Sequence, residues 1–244
     1  MINYKITIQY DGTGYKGWQF QPNEKTIQGE IEKALLQIFK LDKINLIGSG
    51  RTDSGVHAND QVANFKVETH MRNDQIVKAL NSKLSNDIII SNCKKVSDSF
   101  NSRFSAIKRE YKYFINFSKT PFSRDHIWTI DWDINSSLLD DCARKIQGEH
   151  EFEYFSKSSS ETKNKLCNVV LSKWELKEEN LIFTISSNRF LQHMVRYLVG
   201  TMIEVARGRY VLENFIDLLH NRGNKSVVKA PAQGLYLNRV VYEE

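Results

Sequence analysis

The apolar pattern of this chain keeps changing period, and that limits the folds open to it. Across 244 residues, side chains alternate one in two, then recur at helical spacing, then alternate again. Alternation marks strands at 3–10, 61–68 and 109–117, and the apolar runs at 44–47, 88–96, 167–177, 181–187 and 234–242 also read as extended. Helical spacing marks 26–40, 73–84, 136–147, 190–206 and 211–221. In the first helix Ile27, Ile31, Leu35, Ile38 and Phe39 share a face, and Thr26 is placed to cap it. In the fourth, Phe190, Leu191, Met194, Val195, Leu198, Val199, Met202 and Ile203 form one stripe, with Arg196 off it. Strands and helices are interleaved in both halves, which predicts an α+β fold with mainly antiparallel pairing. The polar stretch 156–165 reads as a loop, and only three prolines occur, so no interdomain linker stands out.

Composition narrows the class. Apolar residues make up 41% and charged residues 26%, with 27 aromatic rings of Phe, Tyr and Trp, so the chain is globular rather than disordered. A net charge of +5 permits a polyanionic partner without requiring one. Cys93, Cys142 and Cys167 lack metal-ligand spacing, and their sparse, odd number fits a reducing compartment, hence a cytoplasmic location. The segment "MINYKITIQYDG" reads as a strand, so no signal peptide is expected. The apolar run 190–206 is interrupted by Gln192, His193, Arg196 and Glu204, so no membrane span or membrane partner is expected.

The chemistry concentrates in "GSGRTDSGVHA", residues 48–58. Gly48, Gly50 and Gly55 free the backbone for positive φ and for close approach. Arg51 and Asp53 lie two apart, on one side of an extended chain. A carboxylate here can act as ligand, base, nucleophile or cap of its own turn. No second carboxylate lies nearby and His57 alone is a poor metal set, so no metal is expected. The stretch lacks the lysine and spacing of a P-loop.

"GRTDSGVHA" resembles the signature of the TruA family of tRNA pseudouridine synthases. The resemblance extends in order through "YDGTGYKGWQFQ", "TIQGEIEKAL", "RFSAIKREYKYFI", "GEHEFEYFS", "FLQHMVRYLVGTMIEVARGR" and "APAQGLYLNRVVY". It implies a pseudouridine synthase fold of two mixed α+β halves with a catalytic cleft between them. Residues 1–105 would carry the aspartate loop, and 106–244 the tyrosine strand and the long arginine-bearing helix. It further implies isomerisation of uridine to pseudouridine in the anticodon stem-loop of tRNA, at positions 38–40, by a homodimer with no cofactor.

The resemblance assigns residues as well. Asp53 is implied as the catalytic aspartate, attacking C1′, attacking the base, or assisting elimination. Arg196 is implied as the cation that keeps it ionised. Tyr111 is implied to bind the flipped uracil, Arg51 to help eject it or hold a phosphate, and Leu235 to wall the pocket. Lys16, Arg103, Lys108, Arg109, Lys157, Lys163 and Lys165 are the candidate phosphate contacts. The alternative, a non-catalytic RNA-binding protein on the same scaffold, would gain nothing from a buried carboxylate.

Overall fold

The computed structural model describes residues 1–157, 164–177 and 179–243. It divides into two compact units, Met1–Ile107 with Tyr236–Glu244, and Lys108–Leu235.

The first unit contains β1 (Ile2–Tyr10), α1 (Ile27–Phe39), β2 (Ile47–Gly48), β3 (His57–Val67), α2 (Asn73–Asn81) and β4 (Ile88–Val96). β1 lies between β3 and β4, antiparallel to both, and β2 pairs briefly with β3. Tyr4, Ile6 and Ile8 of β1 are fully buried with Ile31 and Leu35 of α1 and Ile76 and Leu80 of α2, so the helices cover the apolar side of the sheet. Thr26 caps α1 as expected, its side chain accepting from the Gly29 N–H.

The second unit contains β5, which starts at Ala106 and runs to Asn116, then β6 (Trp128–Thr129), α3 (Ser136–Lys145), β7 (Gly148–Glu151), β8 (Leu166–Lys177), β9 (Asn180–Ser187), α4 (Met194–Ala206) and α5 (Leu212–Leu219). β5, β9, β8 and β7 pair antiparallel in that order, and β6 adds parallel to β5. α4 buries most of its length, including Met194, Leu198, Val199, Met202 and Ile203. The last strand, β10 (Leu235–Tyr242), returns to the first unit, where Tyr236 and Leu237 pair parallel with His57 and Ala58 of β3. The fold is α+β with mostly antiparallel sheets, as the periodicities predict.

Sequence and structure differ at several places: the short strands β6 and β7 are not marked by the alternation, and three element boundaries move. Residues 44–46 form no ladder. The Leu46 backbone is satisfied instead by α1 side chains: its carbonyl accepts from Gln28 at 3.1 Å, and its N–H donates to Glu32 at 3.4 Å. α4 begins at Met194 rather than 190, because His193 adopts φ 68° and breaks the helical path. β3 starts four residues earlier than alternation indicates, at His57 rather than Gln61.

The Glu32 contact carries a pH signature. Burial pushes this carboxyl above its usual range, with the bonds from Gln28 and Leu46 pulling it back. A raised folded value favours the protonated form, so the stabilisation is complete below the unfolded carboxylate value and is lost as pH rises through the folded one. Glu32→Gln keeps the carbonyl acceptor and removes the charge. It is expected to raise Tm at pH 7 by about 1–3 °C and to match the wild type near pH 4, as read by thermal melts.

Candidate functional site

The Asp53 loop is built in the first unit from two segments that hold each other. The preceding "DGTGYKGW" segment lies against it through backbone bonds: the Trp18 N–H donates to the Thr52 carbonyl at 3.1 Å, and the Gly55 N–H to the Tyr15 carbonyl at 3.4 Å. The Ser54 hydroxyl also donates to the Tyr15 carbonyl, at 3.0 Å. Tyr10 and Thr52 share a buried hydroxyl bond at 2.8 Å. The Val56 N–H closes a tight turn on the Asp53 carbonyl at 3.2 Å. Upstream, the Ser49 hydroxyl donates to Gln61 at 2.6 Å, and the Gln61 amide donates to the Gly50 carbonyl at 3.0 Å. Asp53 is half-buried and Arg51 exposed on this rigid loop.

The loop glycines serve differently. Gly55 takes φ 75°. Gly48 lies so close to the Trp18 indole that a Cβ would stand 2.6 Å from it. Gly50 meets neither demand, having open space at its Cβ position and no positive φ.

His57 is a loop anchor, 1% exposed. Its Nδ1 accepts the Gly12 N–H at 3.2 Å and lies 3.1 Å from Asp11 Oδ1. The two contacts suit different states, the neutral ring accepting from Gly12 and a proton on Nδ1 turning the bond toward Asp11. The ring stacks on Tyr236 at 4.6 Å. Burial, with Asp11 adding to it, pushes the Tyr236 phenol up to about 12.

The second unit gathers Tyr111, Tyr113, Arg196 and the strap Val228–Leu235. Tyr111 and Tyr113 alternate on β5, so both face the same side of the sheet. Tyr111 is 8% exposed and meets Phe190 edge-on at 5.0 Å. Tyr113 is fully buried and donates its hydroxyl to the Pro231 carbonyl at 2.8 Å. Burial holds its phenol well above the usual value, with the Arg196 charge acting the other way. Arg196 grips the neighbouring residue twice: its Nε donates to the Ala230 carbonyl at 2.8 Å, and its own carbonyl accepts the Ala230 N–H at 3.0 Å. Thr201 Oγ1 accepts the Val228 N–H at 3.0 Å. The strap therefore lies along α4 and fixes the plane of the Arg196 guanidinium. Leu235, at the end of the strap, is buried.

Gly200 permits that approach, since a Cβ there would stand 2.2 Å from the Val228 carbonyl oxygen. Gly200→Ala is expected to push the strap off the helix and cost about 2–3 kcal/mol, a Tm loss of about 6–10 °C by calorimetry.

The remaining sequence-selected residues are scattered in environment. Lys16, Arg103 and Lys108 are exposed, while Arg109 and Lys157 are half-buried. Arg109 Nη1 donates to the Asn188 carbonyl at 3.0 Å. Lys165 is only 9% exposed, which leaves it little surface to offer a phosphate. Lys163 lies outside the described residues. The thiols offer no nucleophile: all three are buried and free, and burial pushes Cys93 and Cys167 up to about 11 and Cys142 up to about 12. Among the described residues no helix is long and apolar enough to cross a membrane.

The residues that sequence reasoning missed are the supports. Tyr10, Trp18 and Thr52 read as ordinary strand and loop residues. Ala230 and Pro231 sit in "APAQG", where nothing in the spacing announces two carbonyls committed to Arg196 and Tyr113.

Comparison with known proteins bears on what these parts do. Residues 6–105 and 142–243 match the tRNA pseudouridine synthase family. A relative from Dictyoglomus turgidum named tRNA pseudouridine synthase A is 42% identical over 247 residues, covering 99% of this chain and all of that one. One of the same name from Brachyspira hyodysenteriae is 40% identical over 249 residues, covering both chains in full. Another from Thermoanaerobacter is 38% identical over 245 residues, covering 99% of this chain and all of the relative. With its aspartate loop in the first matched segment and its strap-held arginine in the second, the chain belongs to the tRNA pseudouridine synthase family, isomerases that act on tRNA.

Proposed function

We propose that this protein isomerises uridine to pseudouridine in the anticodon stem-loop of tRNA, at positions 38–40, with Asp53 as its nucleophile. The N1–C1′ bond breaks, the uracil turns, and a C5–C1′ bond forms. The proton on C5 leaves and N1 gains one. Atoms and electrons balance without oxidant, reductant or metal, so the reaction as written needs no cofactor. Asp53 takes up the electron-poor centre and releases it again, a role that suits an ionised carboxylate. Arg196 supplies positive charge to the carboxylate and to the charge developing in the bound complex. Tyr111 stacks on the flipped uracil, Leu235 walls the pocket, and Arg51 helps extract the base, at a cost of a few kcal/mol. Lys16, Arg103, Lys108, Arg109 and Lys157 take phosphates, and the protein works as a homodimer in the cytoplasm.

The observation that most supports this reading is the construction of the Asp53 loop. Backbone bonds from residues 15 and 18 hold it on both sides of the carboxylate-bearing residue. Such preorganisation suits a group that must meet a reacting atom rather than merely cap a turn.

The test is release of tritium from tRNA labelled at uracil C5. The proposal expects release by the wild-type protein in the absence of added metal or cofactor. Binding of tRNA without release would replace it with the non-catalytic RNA-binding alternative.

A further inference from the structure

An exposed aromatic stands on an unusually well-supported turn in the first unit. Phe104 is 78% exposed. The Arg103 guanidinium lies over one face of its ring, 5.4 Å from the centroid. A single exposed apolar ring is common on a protein surface, so what marks this one is the turn that holds it and the guanidinium beside it.

The turn beneath it is rigid. Asn101 and Ser105 bridge each other twice: the Ser105 N–H donates to the Asn101 carbonyl at 2.8 Å, and the Asn101 N–H to Ser105 Oγ at 3.1 Å. Asn101 Oδ1 accepts both the Arg103 and the Phe104 N–H, at 2.9 and 3.2 Å.

A buried polar network ties this turn to the sheet. The Ser102 N–H donates to Asn64 Oδ1 at 2.8 Å, and the Ser102 carbonyl accepts the Tyr242 hydroxyl at 2.9 Å. Asn64 donates to Asn3 Oδ1 at 3.0 Å, and Asn3 donates to the carbonyls of Ser97 and Phe100 at 2.9 and 3.0 Å. Asn3, Asn64 and Ser102 are at most 3% exposed. The Asn3 and Asn64 side chains, bonded in this way to each other and to the backbone of residues 97–102, specify one geometry for the segment they hold.

We propose that Phe104 is a stacking platform for an unpaired base of the tRNA, with Arg103 taking the adjoining phosphate. The proposal rests on the tRNA reading above and adds a base contact that it does not contain. Chemistry favours RNA as the occupant. A rigid aromatic with a guanidinium over one face presents the other to a base, and stacking of this kind is indifferent to base identity. The flanking residues Asn101, Ser102 and Ser105 are polar and the other large exposed apolar side chain close in sequence is Ile107, at 45%, so the apolar area on offer is a ring and part of one aliphatic side chain. That is far below the roughly 800 Å² per partner that a stable protein interface requires. Nearby charge has the right sign: Lys5 lies 5.5 Å and 5.2 Å above the rings of Phe100 and Tyr242, while Asp98 is paired with Lys66 at 3.0 Å.

The experiment measures tRNA dissociation constants across a salt series for the wild-type protein, Phe104→Ala, Phe104→Trp and Arg103→Gln, with melting temperatures and sedimentation velocity on each. Phe104→Ala is expected to weaken binding about tenfold with an unchanged salt slope, because stacking releases no counterions. Phe104→Trp restores binding to within about twofold, and Arg103→Gln lowers the salt slope by about one. Wild-type affinity in Phe104→Ala overturns the proposal. So does weaker binding that follows loss of the dimer, which would assign the ring to a second copy of the chain. Tritium release separates the two readings: a wild-type protein that releases label while Phe104→Ala binds normally sinks the platform alone. A wild-type protein that neither binds tRNA nor releases label sinks both.

Discussion

Asp53→Asn is expected to release no detectable tritium from C5-labelled tRNA, a loss of at least about 10⁴-fold in kcat, while tRNA binding and the fold survive. The magnitude is that of removing a nucleophile whose role no neighbour can assume. The amide matches the carboxylate in shape, lacks its charge, and cannot form and release the intermediate. Survival of the fold follows from how the loop is held. The bonds that fix the loop on either side of residue 53 include Val56 N–H to the Asp53 carbonyl and Trp18 N–H to the Thr52 carbonyl. Both are backbone bonds that the substitution leaves in place. A melting temperature within a few degrees of wild type, together with lost turnover, would assign the defect to chemistry. Turnover within tenfold of wild type would remove Asp53 from the mechanism.

Arg196→Met is expected to lower kcat by about 10²–10³-fold, the usual cost of removing one preorganised donor or charge, and to change tRNA affinity much less. The structure explains why lysine should not rescue it. Arg196 Nε is committed to the Ala230 carbonyl at 2.8 Å, which orients the planar guanidinium relative to α4. An ammonium has no second arm: it either meets that carbonyl or points elsewhere. Single-turnover rates and equilibrium binding on Arg196→Met and Arg196→Lys would check this. Equal losses in rate and affinity would make Arg196 a phosphate contact.

The parts of the fold that were legible are those in which local pattern and tertiary packing agree. In α1, the apolar spacing and the Thr26 cap both point to a helix over 27–39. β1 alternates from Tyr4 to Tyr10 because one face of it is buried. Elsewhere long-range partners decide. Residues 44–46 look like a strand, yet their neighbour is the side-chain face of α1, and Gln28 and Glu32 take the bonds of Leu46 that a strand would have given. Phe190 and Leu191 continue the apolar stripe of α4 without joining the helix. Phe190 packs edge-on against Tyr111 and Leu191 is buried, which gives them the same apolar character as helical residues. Periodicity also cannot register that β10, last in the chain, pairs with β3 of the first unit.

The candidate site divides along the same line. Asp53, Arg51, Tyr111 and Arg196 were legible because their residue types stand out in recognisable blocks. Their supports were not. A carbonyl of Ala230 or Pro231 has no sequence identity, and Asn3, Asn64 and Ser102 lie far apart in the chain. They become one network only after β1, β3 and the 101–105 turn are brought together. Phe104 was hidden for the opposite reason, since an isolated phenylalanine in a sequence reads as core.

A pseudouridine map of tRNA from cells deleted for this gene, and from the same cells carrying either the wild-type gene or Asp53→Asn, tests the central claim. The account predicts that pseudouridine disappears at positions 38–40 in the deletion, returns with the wild-type gene, and stays absent with Asp53→Asn. Pseudouridine persisting at those positions in the deletion, or returning with Asp53→Asn, would contradict it.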